Sequence, residues 1–464
     1  MFRRVSNLLA RRPMLRRIVT STGWLVADRG LRMVVGLFVG VWVARYMGPS
    51  DFGLFNYALT LVALTAVAAN LGLDRFAVRE LVREPDRAGE ILATTLILRA
   101  VAGLASAGLA VGVVFAFEPG NVTAQALVCV LAATSVFAAA DTADLYFQSR
   151  TSVKYAVWAR YPAFVLASAA RVWLVLAKAP IVAFAWVQLA EAALVALGLW
   201  VALRAGHDRP PGAWRFAAAR AKRLLADSWP QILNTVAIVI YVRIDQVMLR
   251  ALAGEREVGI YSAAVRLSEV WYFVPGVLVA AVFPTILRVR ETDERLYYHR
   301  MLQLFALVSA IGLTLSVGIT IFAGPIVRVL FGPDYAAAAP VLALHTWATV
   351  FAFLGSAQEP WNVAEGFVRK MFYRTALGAA INVGLNFLLI PRYGAVGAAW
   401  ATIVAYAYGA VIGNLFHRDA RRIFWLQLKS LAFPLYLKLP CVDPSEVLPV
   451  APVPPVDPEP ERRP

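Results

Sequence analysis

Four arginines stand inside long apolar runs: Arg29, Arg32, Arg243 and Arg266. An ionisable side chain at the centre of a membrane helix costs about 2.5–3.5 kcal/mol or more unless it is paired or hydrated. Asp28 can pair with Arg32 one helical turn on, which leaves Arg29 with no local partner. An arginine without a counter-charge implies a wet cavity or an anionic ligand. The expectation is that these four arginines line one cationic cavity. The other intramembrane charges have structural readings. Asp141, Asp144 and Arg160 sit near span ends and reach interfacial water. Glu191 pairs with Arg171 or Arg160, and Arg266 and Glu269, three apart, pair with each other. His345 reads as a satisfied core histidine.

No enzyme constellation accompanies these charges. The chain has no Walker loop, no HExxH, no GxSxG and no Cys/His cluster at metal spacing. No catalytic residue, cofactor or nucleic-acid partner is expected. Work across the membrane must then draw on an ion gradient, the membrane potential or the gradient of the cargo itself. Cys129 and Cys441 imply no disulfide framework.

The elements that position the charges follow from hydropathy. Of 464 residues, 60% are hydrophobic and only 16% charged, against about 25% charged in soluble domains. Twelve apolar runs are long enough to span a bilayer. They cover 22–45, 52–72, 91–116, 123–147, 154–177, 181–203, 226–250, 258–284, 300–323, 337–357, 371–390 and 394–416. The runs are continuous rather than alternating, so they are helices and not barrel strands. Assigning alternate loops to the two sides puts 29 Lys+Arg on the side of the N-terminus and four on the other: Lys178, Arg256, Arg328 and Arg392. Positive charge marks the cytoplasm, so both termini are expected there. The net charge of +16 is mostly this topology signal.

The expected fold is an all-α polytopic membrane protein of about twelve transmembrane helices in two six-helix bundles. A basic arm (1–21) precedes the first bundle (22–203). A basic linker (204–225) containing Pro210-Pro211 acts as a flexible connection to the second bundle (226–416). An interfacial amphipathic segment (417–438) and a disordered, Pro-rich tail (439–464) follow. Six helices per half make a parallel repeat, related by an axis along the membrane normal. The sequence carries a trace of it. A shift of 206 places Gly48 on Gly254, Asp51 on Glu257, Gly53 on Gly259, Phe55 on Tyr261 and Ala58 on Ala264.

Several motifs are familiar. ARYMGPSDFGLFNYA at 44–58, YVRIDQVML at 241–249, VGIYSAA at 258–264 and INVGLNFLLIP followed by YGAVGAAWAT at 381–402 stand in order. Together they resemble bacterial O-antigen and exopolysaccharide flippases of the multidrug/oligosaccharidyl-lipid/polysaccharide exporter superfamily, over residues 20–420. The resemblance implies a bacterial inner-membrane protein that carries polyprenyl-pyrophosphate-linked oligosaccharide between leaflets by alternating access. Arginine suits bidentate phosphate contact, and Trp24, Trp271, Tyr272, Trp347 and Trp361 are candidate sugar platforms. Membrane lipids, a polysaccharide polymerase and a chain-length regulator are the implied partners. By likeness to lipid II flippases, a coupling-ion site for sodium, or failing that a proton, would use Asp245, Asn382, Asn386, the Ala398 carbonyl and Thr402. Hard oxygens with one carboxylate suit a monovalent ion. Two rivals are a drug or lipid exporter of the same superfamily, which would favour acidic cavity residues, and an O-antigen polymerase, which would show a large outer loop.

Overall fold

The computed structural model describes residues 13–67, 69, 71–150, 152, 154–205, 210–290 and 292–432, with side chains from Arg32 onward except at 205, 284, 368 and 369. The side chains of Trp24, Asp28 and Arg29, the start of the basic arm and the Pro-rich tail lie outside the described residues. α1 (Pro13–Ala66) is followed by α2 (Asp74–Arg83), α3 (Ala88–Phe117), α4 (Val122–Ala132), α5 (Thr142–Ser149), α6 (Lys154–Leu176) and α7 (Ile181–Ala205). After the linker come α8 (Ala218–Ala253), α9 (Glu255–Glu269), α10 (Phe273–Val289), α11 (Glu294–Phe331), α12 (Ala338–His345), α13 (Ala348–Ala364), α14 (Val368–Ala410) and α15 (Arg421–Leu431). Ten helical stretches among the described residues are long and apolar enough to cross a membrane.

Two of these stretches fold back on themselves. α14 breaks at Gly394 (φ 54°, ψ −133°), a conformation that a Cβ would strain. Asn386 and Thr402 would lie roughly 24 Å apart on a straight helix, yet both bond Asp245. α1 breaks at Gly48 (φ 72°, ψ 170°). Gly36 and Asn56, on its two arms, line one cavity. Counting each arm of these two hairpins, the described residues hold about ten to twelve candidate membrane helices.

The glycine repeat has a structural counterpart. Gly254 has φ 90° and ψ 175°, close to Gly48. The helical turns after each glycine cross at their closest residues. A Cβ on Gly53 would collide with the Glu255 carbonyl oxygen, and one on Gly259 with that of Pro49. Those two contacts are related by the same shift of 206. Around this crossing one apolar cluster takes side chains from both sides of the linker, Phe52, Tyr57, Leu249, Tyr261, Phe331 and Tyr335 among them. Tyr335 also donates from its hydroxyl to the Ala44 carbonyl at 2.7 Å. At the arginine-rich end the cores separate. One lies around Leu81, Ile91, Tyr146 and Leu199, the other around Tyr297, Phe305, Phe353 and Trp361.

The linker is fastened rather than free. Gly89 donates to the Pro211 carbonyl at 2.8 Å, and Ala217 N–H to Thr94 Oγ1 at 3.1 Å. Trp214 meets the edge of Trp200 at 5.6 Å. Arg220, buried in the first turn of α8, bonds Glu80 at 2.5 Å, Glu84 at 2.8 Å and Glu90 at 3.1 Å. The flexible connection expected from Pro210-Pro211 is therefore docked on α2 and α3 at its distal end. The hydrogen bond from Arg220 holds the Glu84 carboxyl below the usual carboxylate range. That contribution is complete above the unfolded value and is lost as pH falls through the folded one. Removing one partner from a buried charge cluster costs about 3–5 kcal/mol. Arg220→Ala is expected to lower the unfolding temperature of the detergent-solubilised protein clearly; an unchanged temperature would mean the clasp contributes nothing.

α15 lies within the stretch 417–438 read as an interfacial amphipathic segment. Ile423, Gln427 and Ser430 are buried, while Arg421, Arg422, Trp425 and Leu428 are exposed. Ser430 anchors it to Ser309 of α11 at 3.1 Å.

Candidate functional site

A cavity of about 590 Å³ opens below the glycine crossing. The two arms of α1 contribute Gly36 and Asn56, α8 contributes Arg243 and Gln246, and α9 contributes Arg266 and Glu269. Thr60 and Gln246, from α1 and α8, meet across it at 2.5 Å. Arg243 lies 3.5 Å from Glu269. Glu269 therefore pairs with the neighbouring helix rather than with Arg266, contrary to the pairing expected along α9. The short Arg243–Glu269 path between adjacent helices wins over the i, i+3 geometry.

Arg266 is placed differently. Its guanidinium lies 5.6 Å from the ring centre of Phe52. A Cβ on Gly40 would overlap it, so the glycine makes its room. No Asp or Glu stands within ion-pair distance of Arg266 among the described residues. The cavity thus presents one paired and one uncompensated guanidinium, a combination that attracts an anion. Of the four expected arginines, Arg243 and Arg266 meet here. Arg32, one turn before Gly36, is not on the cavity wall, and the Arg29 side chain is outside the described residues. Other expected charges pair structurally. Arg171 holds Glu191 at 2.6 Å, and Arg160 holds Asp141 at 2.8 Å and Asp144 at 3.1 Å. His345 is buried against the Ser268 hydroxyl at 2.7 Å.

Beside Gln246, the second group converges on the adjacent Asp245. Asp245, Asn382, Asn386, Ala398 and Thr402 are all buried. Asp245 accepts from Asn386 Nδ2 at 2.5 Å and from the Thr402 hydroxyl at 2.8 Å. Asn386 Nδ2 also reaches Asn382 Oδ1 at 3.0 Å, and Thr402 lies 3.0 Å from the Ala398 carbonyl. Sequence reasoning does not reach Tyr261, whose hydroxyl donates to Asp245 at 2.6 Å and lies 3.1 Å from Thr402. Its one signal is the shift of 206, which sets Tyr261 opposite Phe55, so the hydroxyl is the difference between the repeats. Asn386 Oδ1 and Asn382 Nδ2 are buried with no hydrogen-bond partner, a costly state for polar atoms. An orphaned amide oxygen beside a carboxylate, a hydroxyl and a carbonyl is a fitting donor set for a small monovalent cation.

A second cavity, of about 510 Å³, shares Arg243 and Glu269 with the first and extends among α8, the end of α9, α13 and α14. Of the aromatic residues expected to face sugars, Tyr272 lines it. Trp361 is fully buried on Phe367, and Trp347 bonds Thr320.

Known proteins resemble the chain in both sequence and fold. The family model described as polysaccharide biosynthesis protein matches residues 18–290, and that described as lipid II flippase MurJ matches residues 173–437. A probable flippase, AglR of Haloferax volcanii, is 25% identical over 192 residues, 40% of this chain and 40% of AglR. The matched stretch therefore spans well under two thirds of that relative. A probable low-salt glycan biosynthesis flippase of the same organism, Agl15, is 22% identical over 81% of this chain and 78% of its own. Among solved structures, an inward-facing MATE family multidrug transporter of the MOP superfamily superposes with TM-score 0.69 at 17% identity, covering 86% of this chain and 96% of the transporter. Lipid II flippase MurJ, in an inward closed conformation, gives 0.68 at 16% identity over 88% and 90%.

Proposed function

We infer that this multi-pass membrane chain, which belongs to the polysaccharide biosynthesis protein family of the MOP superfamily, moves polyprenyl-pyrophosphate-linked oligosaccharide from the inner to the outer leaflet of a prokaryotic cytoplasmic membrane. The observation that carries this reading is the cavity holding Arg243 and Arg266, one guanidinium paired and the other with no acid within ion-pair distance among the described residues. A pyrophosphate leaving water needs such partners, because charge-assisted bonds offset its desolvation. A cation exporter would present the opposite sign. The two bundles are read as a parallel repeat with both termini cytoplasmic. The Gly48/Gly254 end is then the outer one. Its shared core closes the outer side while the cores separate inside, an arrangement suited to loading from the cytoplasmic leaflet. A polymerase and a chain-length regulator are the natural downstream partners. Deleting the gene is expected to trap lipid-linked oligosaccharide on the cytoplasmic face, with surface glycan restored by the wild-type chain. Normal surface glycan in the deletion strain, with no redundant transporter, would refute the reading.

Sodium is the proposed coupling ion, held by Asp245, Asn382, Asn386, the Ala398 carbonyl and Thr402. It would supply a compact positive charge that satisfies the lone carboxylate and the orphaned amide oxygen. A ligand at about a hundred times its Kd stabilises the folded state by about 2.7 kcal/mol. Replacing N-methylglucamine chloride by sodium chloride at constant ionic strength is expected to raise the unfolding temperature of the wild type by a few degrees and to leave Asp245→Asn unmoved. Equal temperatures in both salts for the wild type would exclude sodium and turn attention to a proton on Asp245.

A further inference from the structure

We propose that the second cavity is a subsite for an acidic sugar of the transported glycan, with Arg374 as the group that holds the sugar carboxylate. The proposal rests on the function inferred above and concerns only the glycan. Arg374 projects from α14 three residues past the span boundary expected at 371. Its stem passes over Gly413, where a Cβ would press on it. Its guanidinium bonds the side-chain oxygen of Asn414, a neutral amide. No Asp or Glu lies within ion-pair distance among the described residues, and Arg374 Nε is buried with no partner. The charge is therefore held in place but not neutralised, and one donor remains unused.

The walls fit a pyranose. Tyr241 and Tyr406 are stacked with ring centres 4.8 Å apart and planes 17° from parallel, and Tyr272 lines the same space. The Tyr241 ring is wedged against Gly378 and Gly409, and its hydroxyl donates to the Ala405 carbonyl at 3.0 Å. The wall is thus rigid. An aromatic ring accepts the C–H face of a sugar, while polar neighbours take its hydroxyl rim. Glu359, exposed at one edge, is a ready acceptor for sugar hydroxyls. The volume of about 510 Å³ lies within the usual range for an organic ligand.

Connectivity selects a sugar over other anions. The first sugar of such a lipid is bonded directly to the pyrophosphate. The second cavity shares Arg243 and Glu269 with the first, so a pyrophosphate on Arg243 and Arg266 delivers the glycan to Arg374. Arg243 is already matched by Glu269 at 3.5 Å, which leaves Arg374 as the cation a uronate would meet.

The test uses two synthetic farnesyl-pyrophosphate disaccharides, alike except that one ends in glucuronate and the other in glucose, with the full-length protein in vesicles. The wild type is expected to translocate the glucuronate lipid about tenfold faster at subsaturating concentration. Arg374→Gln is expected to erase that preference, so that the two lipids move at equal rates. Asn414→Asp, which sets a counter-charge beside the intact arginine, is expected to do the same and serves if Arg374→Gln does not fold. Equal wild-type rates for the two lipids would overturn the subsite while leaving the flippase reading intact. So would an equal loss on both lipids in each variant, the mark of a structural role. If neither lipid moves, the function inferred above fails, and the subsite with it.

Discussion

Arg266→Gln is expected to slow translocation of a pyrophosphate-linked lipid about a hundredfold while leaving the protein at least as stable as before. A hydrogen bond to a charged group is worth about 1.5–3 kcal/mol, and about 2.7 kcal/mol is a hundredfold. The stability half follows from the environment. Arg266 faces the Phe52 ring, and no carboxylate stands within ion-pair distance of it among the described residues. Removing an uncompensated charge relieves desolvation. A structural arginine would behave in the opposite way, losing stability first and activity in consequence. Unfolding temperature and translocation rate, measured on one preparation, separate the two. Gly40→Ala offers an independent check, because its methyl would occupy the space of the Arg266 guanidinium. A full translocation rate in Arg266→Gln would remove this residue from the binding account.

Gly259→Ala and Gly53→Ala are each expected to abolish transport by preventing closure of the glycine crossing. The added methyl would meet a backbone carbonyl oxygen, Pro49 in one case and Glu255 in the other. Backbone cannot swing aside as a long side chain can. Overpacking of this kind costs typically about 1–3 kcal/mol where helices can shift apart, and here the shift reopens the closed end. A cavity cysteine at Asn56, in a Cys129→Ser background, reports the outcome. The wild-type crossing should shield it from an impermeant thiol reagent on the outer side, and both alanine variants should expose it. Disulfides across 46–51 and 251–257 should instead lock the crossing shut and also stop transport. Full transport by either the alanine variants or the crosslinked protein would defeat the gating role.

The likeness to lipid II flippases, together with helical spacing, makes the ligands of the proposed ion site legible. Asn382 and Asn386, like Ala398 and Thr402, stand four apart, so spacing alone puts each pair on one helix face. The fold bonds Asn386 and Thr402 to Asp245, with Asn382 and the Ala398 carbonyl bonded to those two in turn. What spacing cannot give is which neighbouring helix faces which. That is why Glu269, expected on Arg266, is found on Arg243. Tyr261 is hidden for a related reason. A tyrosine in an apolar run reads as packing, and its hydroxyl gains meaning only beside a carboxylate from another helix. Arg374 is inconspicuous because it lies near a span end, where arginines commonly reach water. Pro210-Pro211 reads as a loose linker, but the hydrogen bond from Gly89 and the Arg220 clasp involve partners more than a hundred residues away. Gly48 and Gly254 are the reverse case, since their punctuation already marks the two turns that share one backbone conformation.

The central claim is that the chain carries a pyrophosphate-linked glycolipid across the bilayer through a cavity built on Arg243 and Arg266. The most direct measurement is leaflet exchange in vesicles containing the purified protein and a fluorescent polyprenyl-pyrophosphate oligosaccharide, with an impermeant quencher outside. Wild-type vesicles should lose fluorescence steadily as inner-leaflet lipid emerges, and the Arg243→Gln, Arg266→Gln double variant should match protein-free vesicles. Indistinguishable traces for wild-type and protein-free vesicles, or equal exchange by wild type and double variant, would contradict the account.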